Sequence, residues 1–153
     1  MDQVAVLMAG RPVFREDAPI ELVTPDNQDH TPDSLSESVA QSRDLALAIA
    51  EVIADTPAID TQVMDIHNLT FIADYFVICS GENERQLRAI SRSIVDEMAQ
   101  QKVRPRVVEG DPESGWILLD FADVIVHVFD AELRAFYHLE ERWSDAPVVL
   151  SIQ

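Results

Sequence analysis

Alternation of apolar and polar residues between positions 116 and 129 predicts a β-hairpin whose turn contains Ala122 and Asp123. Successive side chains of a strand point to opposite faces of the sheet, so the pairing of Phe121 with Val124 fixes both faces of the hairpin. One face is then entirely apolar, and we expect it to be buried. It consists of Ile117, Leu119, Phe121, Val124, Val126 and Val128.

The opposite face of this hairpin mixes apolar side chains with ionisable ones. Asp120 is expected to oppose Ile125, which places His127 on the diagonal of Asp120. A carboxylate and an imidazole are costly in a sealed core unless they are hydrogen-bonded, whereas so apolar a face is seldom left in water. We therefore expect a partner or another element to cover this face, which consists of Trp116, Leu118, Asp120, Ile125, His127 and Phe129.

Apolar residues recur at helical spacing in three other segments, which predicts three helices. The first begins at Ser42, the second follows Asn83 as its N-cap, and the third follows Asp130 as its N-cap. The apolar face of the second helix is predicted to contain Leu87, Ile90, Ile94 and Met98. The shared face of the third is predicted to contain Leu133, Phe136, Tyr137, Glu140 and Trp143.

Five strands are predicted: the two of the hairpin and three at 63–66, 75–80 and 106–109. The economical packing is a mixed five-stranded sheet flanked by helices, which is an α/β fold. Residues 42–145 are predicted to form this domain. The proline-punctuated segment 1–41 is predicted to be a disordered acidic N-terminal tail, and residues 146–153 a short C-terminal tail.

Charge limits the classes of partner. The chain contains 11 basic and 28 acidic residues, a formal net charge of −17, which favours basic partners over the phosphates of nucleic acids or anionic lipids. The single cysteine, Cys79, lies within an apolar run and is predicted to be a buried, inert thiol. Because the sequence has neither a membrane-length apolar stretch nor a signal-peptide pattern at its start, we expect a cytoplasmic protein without membrane contacts.

The search for enzymatic chemistry yields little. Neither phosphate-binding glycine motif is present, and no strand contains the paired carboxylates of a two-metal site. The four histidines are scattered, so we predict no catalytic residue, cofactor or metal. Asp120 and His127 could form an acid–base dyad, and an enzyme therefore remains the alternative hypothesis.

Several ordered motifs of the chain resemble the ribosomal silencing factor family, RsfS, also called Iojap. These motifs are DYFVICSG, RQLRAI, W-x-LLDF-x-DVIVHVF and R-x-FY-x-LE-x-x-W. The resemblance implies a nucleotidyltransferase-like fold without the catalytic motif. It also implies a translational repressor that binds the large ribosomal subunit through ribosomal protein L-fourteen and blocks association with the small subunit when nutrients are short. The enzymatic alternative is then a relic nucleotidyltransferase or nucleotide-binding protein.

The family resemblance and the mixed hairpin face together predict a partner-binding surface, with aromatic anchors and carboxylates for a basic partner. A possible homodimer is a second use of the same surface. Where the family usually has glycine in the hairpin turn, this chain has Ala122, so we expect strain if the turn requires a positive φ. The predicted partner-binding residues are Glu109, Trp116, Asp120, Asp123, Ile125, His127, Phe129 and Tyr137.

Overall fold

A computed structural model describes the backbone of residues 32–153 and the side chains from residue 37 onwards. The disorder predicted for residues 1–41 falls outside the described residues up to position 31 and is wrong for residues 32–41, which are helical. The elements, in chain order, are α1 (Pro32–Ala54), β1 (Ile59–Asp65), β2 (Tyr75–Gly81), α2 (Glu84–Gln100), β3 (Val107–Asp111), a 3-10 turn (Pro112–Ser114), β4 (Trp116–Asp120), β5 (Val124–Asp130), α3 (Ala131–Tyr137), α4 (Leu139–Arg142) and β6 (Val148–Ile152).

The strands form one mixed sheet in the order β3-β4-β5-β2-β1-β6. Only the central pair, β2 and β5, is parallel, and the other neighbours are antiparallel. The predicted α/β class is confirmed, but the sheet has six strands instead of five. The sixth is β6, which lies within the predicted C-terminal tail and pairs with β1. Val149 and Leu150 of β6 pack against the core, and this contact with a distant strand is not visible in the local sequence.

Two helix boundaries differ from the sequence prediction. Helix α1 begins at Pro32, ten residues before the predicted start at Ser42. Proline is well tolerated in a first helical turn, but apolar periodicity detects only the part of a helix that packs against a core. The last helix is broken at His138, whose φ of 48° is left-handed, so that α3 and α4 replace one continuous helix.

The start of α2 follows the sequence prediction closely. The Asn83 side chain accepts a hydrogen bond from the backbone N–H of Gln86 at 2.9 Å, and the Gln86 side chain accepts one from the N–H of Glu82 at 2.9 Å. These two bonds satisfy N–H groups that a helix start otherwise leaves without partners. Helix α2 buries the four predicted residues, Leu87, Ile90, Ile94 and Met98.

A first core lies between the sheet and the helices α1 and α2. The apolar hairpin face points into it, as predicted, and each of its six side chains is at most 7% exposed. Cys79 is also buried here, and burial raises the pKa of its thiol to about 12. The thiol therefore stays protonated at physiological pH, as expected for an inert cysteine.

The hairpin turn has the register predicted from the sequence and stores strain at Ala122. The Phe121 N–H donates to the Val124 carbonyl at 2.9 Å, and the Asp123 N–H donates to the Phe121 carbonyl at 3.1 Å. The second bond closes a γ-turn around Ala122, whose φ is 73°. A γ-turn with positive φ is strained for a residue that has a Cβ atom.

Replacing Ala122 by glycine should therefore stabilise the protein. We expect Ala122→Gly to raise the free energy of unfolding by about 1 kcal/mol, because relief of the positive-φ strain exceeds the added entropy of the unfolded chain. Urea unfolding measures the change. The matched control is Ala89→Gly on the exposed face of α2, which should lower stability by about 1 kcal/mol. A loss of stability in both variants would show that the turn is not strained.

Candidate functional site

The mixed face of the hairpin is covered by the chain itself. Trp116 is 3% exposed, and Ile125, His127 and Phe129 are 0% exposed. They belong to a second core, on the sheet face opposite the first, together with Leu139 and Trp143 from α4 and its end. The expectation that this face is open to a partner needs correction, because these side chains have no surface left for direct contact.

Aromatic rings form much of this second core. Trp116 lies 4.7 Å from Phe129 and 4.7 Å from Tyr137 between ring centroids, and Trp143 packs edge-on against Phe76 at 5.0 Å. Such pairs contribute about 0.5–1.5 kcal/mol each beyond the burial of their surface. The aromatic residues predicted as binding anchors thus stabilise the fold.

His127 is a fully buried histidine. Its Nδ1 accepts a hydrogen bond from Trp116 Nε1 at 3.2 Å, whereas its Nε2 has no hydrogen-bond partner among the described residues. Burial lowers the pKa of His127 to about 3, so the imidazole is neutral at physiological pH. Because Nδ1 accepts a hydrogen bond, the single ring proton belongs on Nε2.

Asp120 is paired with an arginine and the turn instead of His127. Its Oδ1 accepts from Arg106 Nε at 3.1 Å and from the backbone N–H of Ala122 at 2.7 Å. The acid–base dyad that the sequence left open for Asp120 and His127 is not formed: within the described residues, no hydrogen bond joins them. The strand register placed the two on one face correctly, but it could not show that Arg106 lies nearer.

The remaining predicted site residues lie in different places. Glu109 is 8% exposed on β3, opposite Leu118, and Tyr137 is partly buried against the second core. Asp123 is exposed at the hairpin turn. Trp116, His127, Phe129 and Tyr137 are close together, whereas Asp123 lies at the far end of the hairpin from Trp116 and Phe129.

Two aromatic side chains that are exposed in the described part of the chain were missed as binding residues. Phe136 of α3 is 73% exposed and Phe71 is 66% exposed. Ile72, the neighbour of Phe71, packs against the second core. Leu133 and Tyr137, which lie on α3 with Phe136, also pack against it, so both exposed aromatic residues belong to segments that cover this core. We call Phe136 and Tyr137, whose rings are in contact, the aromatic surface.

The sequence signal for Phe136 was ambiguous. A continuous helix places Phe136 on the same face as Leu133 and Trp143, which predicts burial for all three. The break at His138 separates Trp143, which is 1% exposed, from Phe136, which is 73% exposed. A histidine in the left-handed region carries no strong sequence signal, so only the structure shows the exposed aromatic ring.

Exposed carboxylates lie near Phe136 along the chain. Glu132 is exposed on α3, and the side chain of Glu141 on α4 is 79% exposed. Arg134 is turned inwards with a side chain only 12% exposed: it pairs with Glu140 and donates from Nη1 to Ser80 Oγ at 2.9 Å. The outward charge nearest to Phe136 along α3 is therefore acidic.

The described part of the chain contains no group of three or more His, Cys, Asp or Glu residues that could hold a metal ion. Within the same part, no helix is long and apolar enough to cross a membrane.

Comparisons with known proteins converge on one family. The model of the family described as "Ribosomal silencing factor during starvation" matches residues 39–153. The chain is 39% identical over 94 residues to a ribosomal silencing factor RsfS of Bacillus subtilis, which covers 61% of this chain and 80% of the relative. It is 36% identical over 105 residues to the RsfS of Halalkalibacterium halodurans, and the match covers 69% of this chain and 89% of that relative. A chloroplastic Iojap protein of Zea mays is 33% identical over 108 residues, covering 70% of this chain and 46% of the maize protein.

Solved structures show the same fold. A crystal structure from Bacillus halodurans superposes with a TM-score of 0.62 at 30% identity, covering 71% of this chain and 98% of that one. A crystal structure of a Chromobacterium violaceum protein superposes with a TM-score of 0.62 at 26% identity, and the match covers 69% of this chain and 86% of that one.

Proposed function

The chain belongs to the ribosomal silencing factor family, and from this premise we propose that it is a non-enzymatic translational repressor of the cytoplasm. It binds the large ribosomal subunit through the basic ribosomal protein L-fourteen and sterically prevents association with the small subunit when nutrients are limiting.

The observation that carries this proposal is the exposed ring of Phe136 beside acidic side chains. Interfaces depend on a few aromatic anchors, and charge complementarity around them increases the association rate and selects the partner. Phe136 contacts Tyr137 edge-on at 5.1 Å between centroids, and Tyr137 packs against the second core. Phe136 therefore lies against a residue that packs on the second core, and Glu132 and Glu141 can meet the arginine and lysine side chains of a basic protein.

The mechanism is steric. A folded domain of this length has a radius of gyration of about 14 Å. When such a body occupies the joining face of the large subunit, the small subunit cannot approach to bonding distance. Repression then requires occupancy only, without a chemical step.

The proposal predicts that a negative charge introduced at the anchor abolishes repression. We expect Phe136→Glu to weaken binding to isolated large subunits by about 30-fold or more, which corresponds to the loss of a hot spot of about 2 kcal/mol. Co-sedimentation measures binding, and light scattering measures subunit joining. Because Phe136 is 73% exposed, the midpoint of urea unfolding of the variant should equal that of the wild-type protein.

The matched control is Val148→Glu on the edge strand β6, an apolar residue that is 52% exposed. It introduces the same charge away from α3 and should retain binding. Equal loss in both variants would attribute the effect to net charge, and unchanged binding of Phe136→Glu would remove the aromatic surface from the mechanism.

The enzymatic alternative lacks geometric support among the described residues, because Asp120 and His127 bind other partners. Calorimetric titration with nucleotides, with and without magnesium, tests it directly. The possible homodimer stays a prediction.

A further inference from the structure

The positive charge of this acidic protein is concentrated in one region. Six of the eleven lysine and arginine residues lie between positions 85 and 106, where the sequence contains only two carboxylates, Asp96 and Glu97. The six are Arg85, Arg88, Arg92, Lys102, Arg104 and Arg106, and all six are exposed. The net charge of −17 therefore does not describe the local field along α2.

Three of these arginines form a stripe on α2. Arg85, Arg88 and Arg92 are spaced at i, i+3 and i+7, which places them on one side of the helix. At 1.5 Å of rise per residue, the stripe from Arg85 to Arg92 spans about 10 Å. No ion pair involves these three arginines within residues 37–153.

The stripe borders an open groove between α2 and the strands β3 and β4. The groove has a volume of about 380 Å³, and Arg88 and Arg92 line its helical side. Its apolar lining includes Val95, Val108, Ile117 and Leu119, and Asp96 is the one carboxylate among the lining residues. Val108 is 55% exposed, so the groove is open to solvent at the sheet edge.

Screening makes this local charge effective. The Debye length is about 8 Å at physiological ionic strength, so carboxylates on the far side of the sheet act only weakly on a ligand held against α2. The groove lining contains two guanidinium groups, those of Arg88 and Arg92, and one carboxylate, that of Asp96. The sequence expectation against nucleic-acid binding rested on the total charge and does not apply to this face.

We propose that the groove beside α2 binds the phosphate backbone of double-stranded RNA. Guanidinium groups bind phosphate oxygens through two parallel hydrogen bonds, and a row of them suits a polymer with regularly repeated charge. The groove lining contains no aromatic side chain on which an unpaired base could stack, which favours the backbone of a duplex over single-stranded bases.

Fluorescence anisotropy with a labelled RNA duplex of about 16 base pairs tests this site, at about 50 mM and about 200 mM monovalent salt. We expect the full-length protein to bind at the lower salt concentration. The double variant Arg88→Gln/Arg92→Gln should bind about tenfold more weakly or worse. The slope of its log affinity against log salt concentration should be less steep, by an amount equal to about one phosphate contact per arginine.

The control is the double variant Arg43→Gln/Arg142→Gln, which removes the same charge from α1 and α4 and should keep affinity and salt slope near the wild-type values. Circular dichroism melting confirms that each variant is folded. Absence of binding at low salt, equal weakening in both double variants, or binding of poly-glutamate in place of RNA would each overturn the proposal. Because the probe is isolated RNA, such a failure leaves the role of Phe136 in large-subunit binding intact.

Discussion

Acidification from pH 7 to pH 5 should destabilise the wild-type protein by about 2 kcal/mol more than a His127→Gln variant. In the folded protein, burial holds the pKa of His127 at about 3, and in the unfolded chain it returns to about 6.5. The unfolded state alone therefore gains a proton as the pH falls below 6.5. The contribution of His127 to the free energy of unfolding is intact above pH 6.5. Below that pH it is lost at about 1.4 kcal/mol per pH unit, or about 5 kcal/mol in all by pH 3.

Glutamine suits this comparison because its side-chain oxygen can accept the Trp116 N–H bond and the residue does not titrate. Urea unfolding at a series of pH values gives the free energy for both proteins. Carboxylates of the fold affect both equally, so the difference between the two curves isolates His127. Parallel curves between pH 7 and pH 5 would mean that His127 is accessible to protons in the native state.

Truncating Trp143 should be the most damaging single substitution on the side of the second core. Trp143 is 1% exposed and packs edge-on against Phe76 at 5.0 Å between ring centroids. We expect Trp143→Ala to lower the free energy of unfolding by about 3–5 kcal/mol through lost burial and a residual cavity. Urea unfolding followed by far-UV circular dichroism measures this loss.

Phe136→Ala is the control, because it removes an aromatic ring from the same layer at a position that is 73% exposed. Its stability should remain within about 0.5 kcal/mol of the wild type. A similar small effect at Trp143 would show that α4 is not a permanent cover of the sheet.

The parts of the fold visible in the sequence are those determined by local periodicity. The hairpin register, the cap at Asn83 and the burial of the apolar hairpin face follow from neighbours along the chain, and the structure confirms them. Strand β6 was missed because its pairing with β1 joins residues about ninety positions apart, for which a single sequence gives no periodic signal.

The candidate site was predicted less well, for a physical reason. Alternation along a strand shows which side chains share a face, but it does not show whether solvent or another element covers that face. Trp116, His127 and Phe129 were grouped correctly and are buried under the layer formed by α3 and α4. The exposed ring of Phe136 depends on the break at His138, which local sequence does not specify.

The two faces of the sheet differ in the length of helix that covers them. Helices α1 and α2 contain 23 and 17 residues, whereas α3 and α4 contain 7 and 4. Short helices gain little from their own hydrogen bonds and depend on side-chain packing to stay in place. In hydrogen exchange, we expect α3 and α4 to open together as one low-stability unit while the first core stays protected. The free energy of that opening sets how often the aromatic residues of the second core meet solvent in the native protein.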